Sequence, residues 1–268
     1  MLEAVHSAMK GPAGFEPDES LQAELENEPR RPLVLVAACP KSASTFVGTA
    51  VAIALDLKPA KFCESFVHAE QEPSPYQIAR FLRSGGVSRL HCRATGPGVK
   101  TLNFFGVKTI VLARRPEDVM VSLHDELIDP IYAFSENHFS FARTNGDFMN
   151  LPPAGRRDFL IRFALPWLIQ FRVSWNHAIQ TGKINSALVV KFEDLALDPL
   201  QTLENTLQFV TGNPPDHHQT DRLKRVIAGK NEIAQWNIGE IGRGMNWFTP
   251  NELAEISKVS SYYPEHPI

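Results

Sequence analysis

The 268-residue sequence predicts an α/β fold: a single domain with a central parallel sheet flanked by helices. Two observations carry this. Residues 33–38, 107–113 and 186–192 form short runs, rich in β-branched and apolar side chains, that suit strands buried on both faces. Helical patterns over 44–57, 117–127, 159–181 and 199–210 fall between and after them, so strand and helix alternate.

Residues 1–30 precede this alternation. They carry Gly11, Pro12, Gly14, Pro17 and an acidic run through Asp18, Glu19, Glu24, Glu26 and Glu28, with no sustained apolar face, and are expected to be a flexible acidic tail or a loosely docked helix. At Pro32 the composition changes to Leu33-Val34-Leu35-Val36-Ala37-Ala38, the first strand of a domain over 31–268. Between the helix at 117–127 and that at 159–181, Pro130, Gly146, Pro152, Pro153 and Gly155 mark residues 129–155 as an insertion or lid.

Composition narrows the function classes. With 43% hydrophobic and 21% charged residues the chain can bury a sizeable core. Its 27 basic and 30 acidic residues give a net charge of −3, so no overall basic field invites nucleic acid, and any anion site must be local. No apolar window reaches bilayer length, which argues against a membrane partner. Cys39, Cys63 and Cys92 show neither CxxC nor Cys/His ligand spacing, so neither a disulfide framework nor a metal site is expected. Together with the absence of a basic, apolar signal segment, this predicts a cytoplasmic protein with reduced thiols.

Two segments carry chemistry. The first strand runs through Cys39-Pro40-Lys41-Ser42-Ala43-Ser44-Thr45-Phe46 into a helix. Such a junction aims backbone N–H groups and a helix N-terminus at one point, a place for phosphate or a similar oxyanion. Lys41 adds positive charge and Ser44 and Thr45 add hydroxyl donors; an ordinary turn with a helix cap reads equally well from these eight residues alone. The loop lacks both glycines of GxxxxGK[ST], which disfavours a conventional ATP or GTP hydrolase. The second segment, Arg114-Arg115-Pro116-Glu117-Asp118-Val119 with Ser122, follows the strand at 107–113. Ligands of open parallel sheets gather at such strand ends, and Ser122 lies two helical turns onward, so Arg114 and Ser122 can clamp one anion. The simpler reading pairs Glu117 and Asp118 with the two arginines.

Pro40 to Phe46 resembles the PKSGTTW loop of sulfotransferases that use 3′-phosphoadenosine 5′-phosphosulfate (PAPS), and Arg114 to Ser122 resembles their RNPKDVxxS segment. Phe192-Glu193-Asp194-Leu195 is similar to their YEDL, and Gly239-Glu240-Ile241-Gly242 before Phe248-Thr249 to their C-terminal KGxxGDW…FT, so the likeness spans about 31–258. It implies a P-loop-like sheet and a sulfotransferase that moves a sulfuryl group to a hydroxyl or amine of a small molecule, leaving 3′,5′-adenosine bisphosphate (PAP), without a metal.

The resemblance also implies roles. Lys41, Ser42, Ala43, Ser44, Thr45 and Phe46 would hold the 5′-phosphosulfate end, Arg114 and Ser122 the 3′-phosphate, with Phe192, Gly239 and Arg243 completing the donor site. Lys41 would stabilise the leaving bisphosphate and His91, placed like the histidine of the family's KTH segment, would be the general base; Glu64 competes for that role. An extended 88–93 segment would set Arg89, His91 and Arg93 on one face. The sequence departs from the family at Ala43, a glycine there, at Phe46, a tryptophan expected to stack on adenine, and at Phe192, a tyrosine. Asn237-Ile238-Gly239 lacks an arginine, for which Arg243 is either the substitute or a solvent-bonded side chain. Tyr132, Phe134, Phe139, Phe141 and Phe148 either line an apolar or aromatic acceptor site or anchor the insertion, whereas Trp167 and Trp175 read as core. The dimerisation signature of cytosolic members is not intact around 245–254, so no oligomeric state is assigned. A small-molecule or nucleotide kinase, and a non-catalytic nucleotide-binding module, are the competing readings.

Overall fold

The computed structural model describes residues 30–64, 71–129, 147–229 and 240–264. β1 (Leu33–Ala38) leads through the loop at 39–43 into α1 (Ser44–Ala54). α2 (Pro75–Ala79) and β2 (Gly86–Leu90) follow, then α3 (Gly96–Phe104), β3 (Lys108–Ala113) and α4 (Pro116–Ile128). After the short α5 (Asp147–Asn150) and α6 (Pro153–Phe159), a π-helical turn over Leu160–Ala164 leads into α7 (Leu165–Gln180). β4 (Ala187–Lys191) passes into α8 (Phe192–Leu197), α9 (Pro199–Thr211) and α10 (His217–Ala228), and α11 (Arg243–Trp247) and α12 (Pro250–Ser260) close the described chain.

Among the described residues four strands form one parallel sheet in the order β2-β1-β3-β4. Every β1 residue is buried, because both of its faces are covered. Leu33, Leu35 and Ala37 join an apolar layer with α3, α4 and α7, while Val34, Val36 and Ala38 join a second one with α1, α9 and α10. Burying Leu or Val side chains this fully stabilises the fold by about 1.5–3 kcal/mol each, which makes the strand a rigid base for the loop that leaves it.

Three local differences from the sequence reading have physical causes. β2 is absent from the three apolar runs because Gly86, Ser88 and Arg89 interrupt its apolar pattern. The pattern over 159–181 is broken by the π turn, since Pro166 has no N–H to donate one turn back and the helix widens ahead of it. Phe192, read as the end of a strand, instead opens α8.

Candidate functional site

β1 and β3 are neighbours whose crossovers run to opposite sides of the sheet, so their C-terminal ends border the crevice at the switch in strand order, the customary ligand position of an open α/β sheet. On the β1 side, Lys41 and Ala43 both have left-handed backbones, with φ of 60° and 66°. Non-glycine residues hold this conformation at a cost of about 1–2 kcal/mol each, and alternating the hand of the backbone turns N–H groups toward a common point. Ala43 also precedes α1 without a capping side chain, so the first turn, Ser44 to Phe46, is not closed from that position. Ser42 is buried, and its hydroxyl lies 3.5 Å from the Pro40 carbonyl.

On the β3 side, Arg114 is only 5% exposed. Its Nη1 donates to the Lys41 carbonyl at 2.6 Å and its Nη2 to the Glu240 carbonyl at 3.4 Å, so one guanidinium ties the two predicted segments together. The ring of Phe192 lies beneath it, 3.9 Å from centroid to guanidinium carbon. Nε is buried and bonds no described group. Burial pushes the guanidinium down to about 10, opposed by the charges of Asp118 and Glu193 and reinforced by nearby Arg243, so it remains a cation at neutral pH. A buried cation with a donor to spare fits an anionic ligand.

The polar side chains of α4 complete the crevice. Asp118, fully buried, accepts the Gly242 N–H through Oδ2 and the Gly244 N–H through Oδ1, each at 2.7 Å. Those bonds, rather than the two arginines, occupy its carboxylate, contrary to the simpler sequence reading. They draw the 242–244 segment against α4 so closely that a Cβ on Gly244 would lie 2.5 Å from the Glu117 side chain. Arg243 is thereby brought to Asp125, with Nη2 to Oδ2 at 2.8 Å, and is not bonded to solvent alone. Lys41 reaches Glu126, 3.4 Å away. Ser122, buried, lies on the same stripe. Sequence reasoning missed Asp118, Asp125 and Glu126; their signal is the spacing 118, 122, 125, 126, which sets four polar residues on one face of a largely buried helix.

His91 sits just beyond β2, its Nδ1 2.8 Å from the carbonyl oxygen of Ala38 at the foot of the loop. A carbonyl only accepts, so Nδ1 carries the proton and the neutral ring has its lone pair on Nε2. The single basic face expected for 88–93 does not form, because the strand ends at Leu90. Arg89 donates to Thr45 Oγ1 at 2.6 Å on one side of the sheet, while Arg93 donates to Gln170 on α7 at 2.6 Å. Glu64 accepts from the Ser74 hydroxyl and, at 2.9 Å, from Gln77, and these bonds hold its carboxyl below the usual range, which weakens it as a base.

No protein-family model and no curated relative matches the chain. Solved structures do. A mouse sulfotransferase, SULT7A1, complexed with PAP aligns over 91% of this chain and 89% of its own, with a TM-score of 0.58 at 15% identity. Retinol dehydratase in complex with androsterone and inactive cofactor PAP aligns over 100% and 94%, with a TM-score of 0.53 at 16% identity. The chain has the sulfotransferase fold.

Within this sulfotransferase fold, several expected contacts take another form. Phe46 is 1% exposed and packs in the α1 layer, so its ring offers no open face to an adenine. Phe192 supports Arg114 instead of facing a base. Phe148 is buried against Phe159 and His124, which is the anchoring role rather than the acceptor-lining one, and Trp167 and Trp175 lie in the core as read. Gly239, Tyr132, Phe134, Phe139 and Phe141 lie outside the described residues, as do most of the 129–155 insertion and the tail. Among the described residues no helix is long and apolar enough to cross a membrane.

Proposed function

We propose that this chain is an enzyme that transfers a sulfuryl group from PAPS to a hydroxyl or amine of a small, apolar or aromatic molecule and releases PAP. The observation that carries the reading is Arg114: it bonds the carbonyl of Lys41, in the first anion segment, and keeps a buried Nε that bonds no described group. A ligand with negative charge at two separated ends suits two such segments, and PAPS has its charge at the 3′ and 5′ positions. The neighbours in complex with PAP agree with this donor, and the androsterone held by one of them agrees with a small acceptor. Cys39 and Cys92 are buried thiols outside any disulfide, which fits the reducing cytoplasm, where we place the enzyme.

The chemistry follows from the groups at the crevice. His91 Nε2 takes the acceptor proton as the acceptor oxygen or nitrogen bonds to sulfur. The bond from sulfur to the oxygen of the 5′-phosphate breaks in line, and the electron pair leaves with PAP. Lys41 and the N–H groups of the loop offset the charge that grows on that oxygen, the term that lowers the barrier most. Arg114, Ser122 and Arg243 hold the 3′-phosphate. Glu126 and Asp125 keep Lys41 and Arg243 oriented toward the crevice.

The test is PAP release from PAPS with a panel of phenols, alcohols and amines, measured with and without a chelator. Metal-independent release that His91→Ala slows by roughly 10²-fold or more, with Glu64→Gln nearly unchanged, supports the assignment. Turnover of ATP that chelation abolishes supports a kinase instead, and PAP binding without transfer to any acceptor supports the non-catalytic reading.

A further inference from the structure

One feature that the proposed chemistry leaves unused is a groove of about 700 Å³ on the α1 side of the sheet, between α1, β2 and α10. Its floor is apolar, with Ala52, Leu57, Val87 and Val226, and Ile53 stands 46% exposed at its side. Its rim is cationic. Among the described residues Arg89, Arg222 and Arg225 line it against one acidic side chain, Asp56. Gly48 makes room for this arrangement, since a Cβ there would lie 2.8 Å from Cδ of Arg89. Arg222 Nη1 donates to the carbonyls of Ile53 and Ala54 at 3.2 and 3.3 Å, which fixes its guanidinium at the lower end, and Arg89 at the upper end bonds Thr45 of the anion loop.

The chain enters the described fold beside the lower end. Arg31 Nη2 donates to the carbonyls of Leu55, at 2.8 Å, and Asp56, at 2.5 Å, and forms an ion pair with the Asp56 side chain. Whatever precedes residue 30 therefore starts next to the groove. Residues 1–29 hold seven acidic side chains and one lysine, whereas the whole chain has a net charge of −3, so the remainder is net basic. Within them Glu24, Glu26 and Glu28 alternate near two leucines, Leu21 and Leu25. From Gly48 to Ala54 the helix rises roughly 9 Å, a length that about three extended residues cover. We infer that the acidic segment before residue 30 docks along this groove, its glutamates against Arg89, Arg222 and Arg225 and its leucines on the apolar floor. The tether makes the contact intramolecular, at an effective concentration in the millimolar range, so modest pairwise attractions suffice.

A second copy of the chain is the competing occupant, and the experiment separates the two. A photo-reactive side chain is placed at Ile53 in the full-length protein, which is irradiated in dilute solution, and the joined peptides are mapped by mass spectrometry. The expected result is cross-links within one chain to residues 1–29. Their yield should fall at least fivefold in E24Q/E26Q/E28Q, which leaves the described fold untouched, in Arg225→Glu, and in high salt, with Arg225→Lys close to wild type. Cross-links between two chains, cross-links to any other segment, no cross-links, or a yield that the triple variant leaves unchanged would each overturn the inference.

Discussion

The two lips of the crevice reach the same end by different means. The β1 lip is a contiguous stretch of chain whose anion-binding character lies in its backbone, with left-handed Lys41 and Ala43 and a first turn of α1 that Ala43 does not cap with its side chain. The β3 lip is assembled from distant parts: Arg114 over Phe192, and Asp118 holding residues 242–244 through two hydrogen bonds across more than a hundred positions. A local lip concentrates strain, and an assembled lip concentrates buried hydrogen bonds. Damage to the first should therefore appear in catalysis, and damage to the second in stability and affinity.

The sharpest contrast is expected from Lys41→Ala, which should lower turnover roughly 10²–10³-fold while PAP affinity changes far less, measured by steady-state kinetics beside calorimetry. Asp118→Ala leaves two backbone N–H groups near α4 unpaired and should cost about 3 kcal/mol in urea unfolding, along with weaker PAP binding. Gly244→Ala forces a Cβ into the Glu117 side chain and backbone and should cost about 2 kcal/mol by the same measurement, with turnover by bound enzyme little changed. Ala43→Gly reverses the sign: it relieves a φ of 66° and should stabilise the fold by about 1 kcal/mol. If Ala43→Gly destabilised the protein while Asp118→Ala did not, the contrast between the lips would be the wrong way round.

The same contrast explains what was legible in the sequence. β1, its loop, and the Arg114 to Ser122 segment could be read because each is continuous and each shows its chemistry in residue order. β2 was hidden by Ser88 and Arg89, whose burial and partner depend on α1 and the neighbouring strand rather than on local pattern. The roles of Asp118, Asp125, Glu126 and Phe192 could not be read, because their partners lie far along the chain and nothing in the spacing of 118 to 244 announces the contact. Phe46 misled for a related reason. An aromatic residue after the loop suggested a stacking face, whereas the packing of α1 on the sheet turns that ring into the core.

Calorimetric titration with PAP, adenosine 5′-phosphate and ATP, on the wild type and Arg114→Ala, bears most directly on the claim that two anion clamps face one crevice. Wild type should bind PAP roughly 10²-fold more tightly than adenosine 5′-phosphate, and Arg114→Ala should remove most of that preference. Equal affinity for the two nucleotides, tighter binding of ATP than of PAP, or a preference that survives in Arg114→Ala would contradict it.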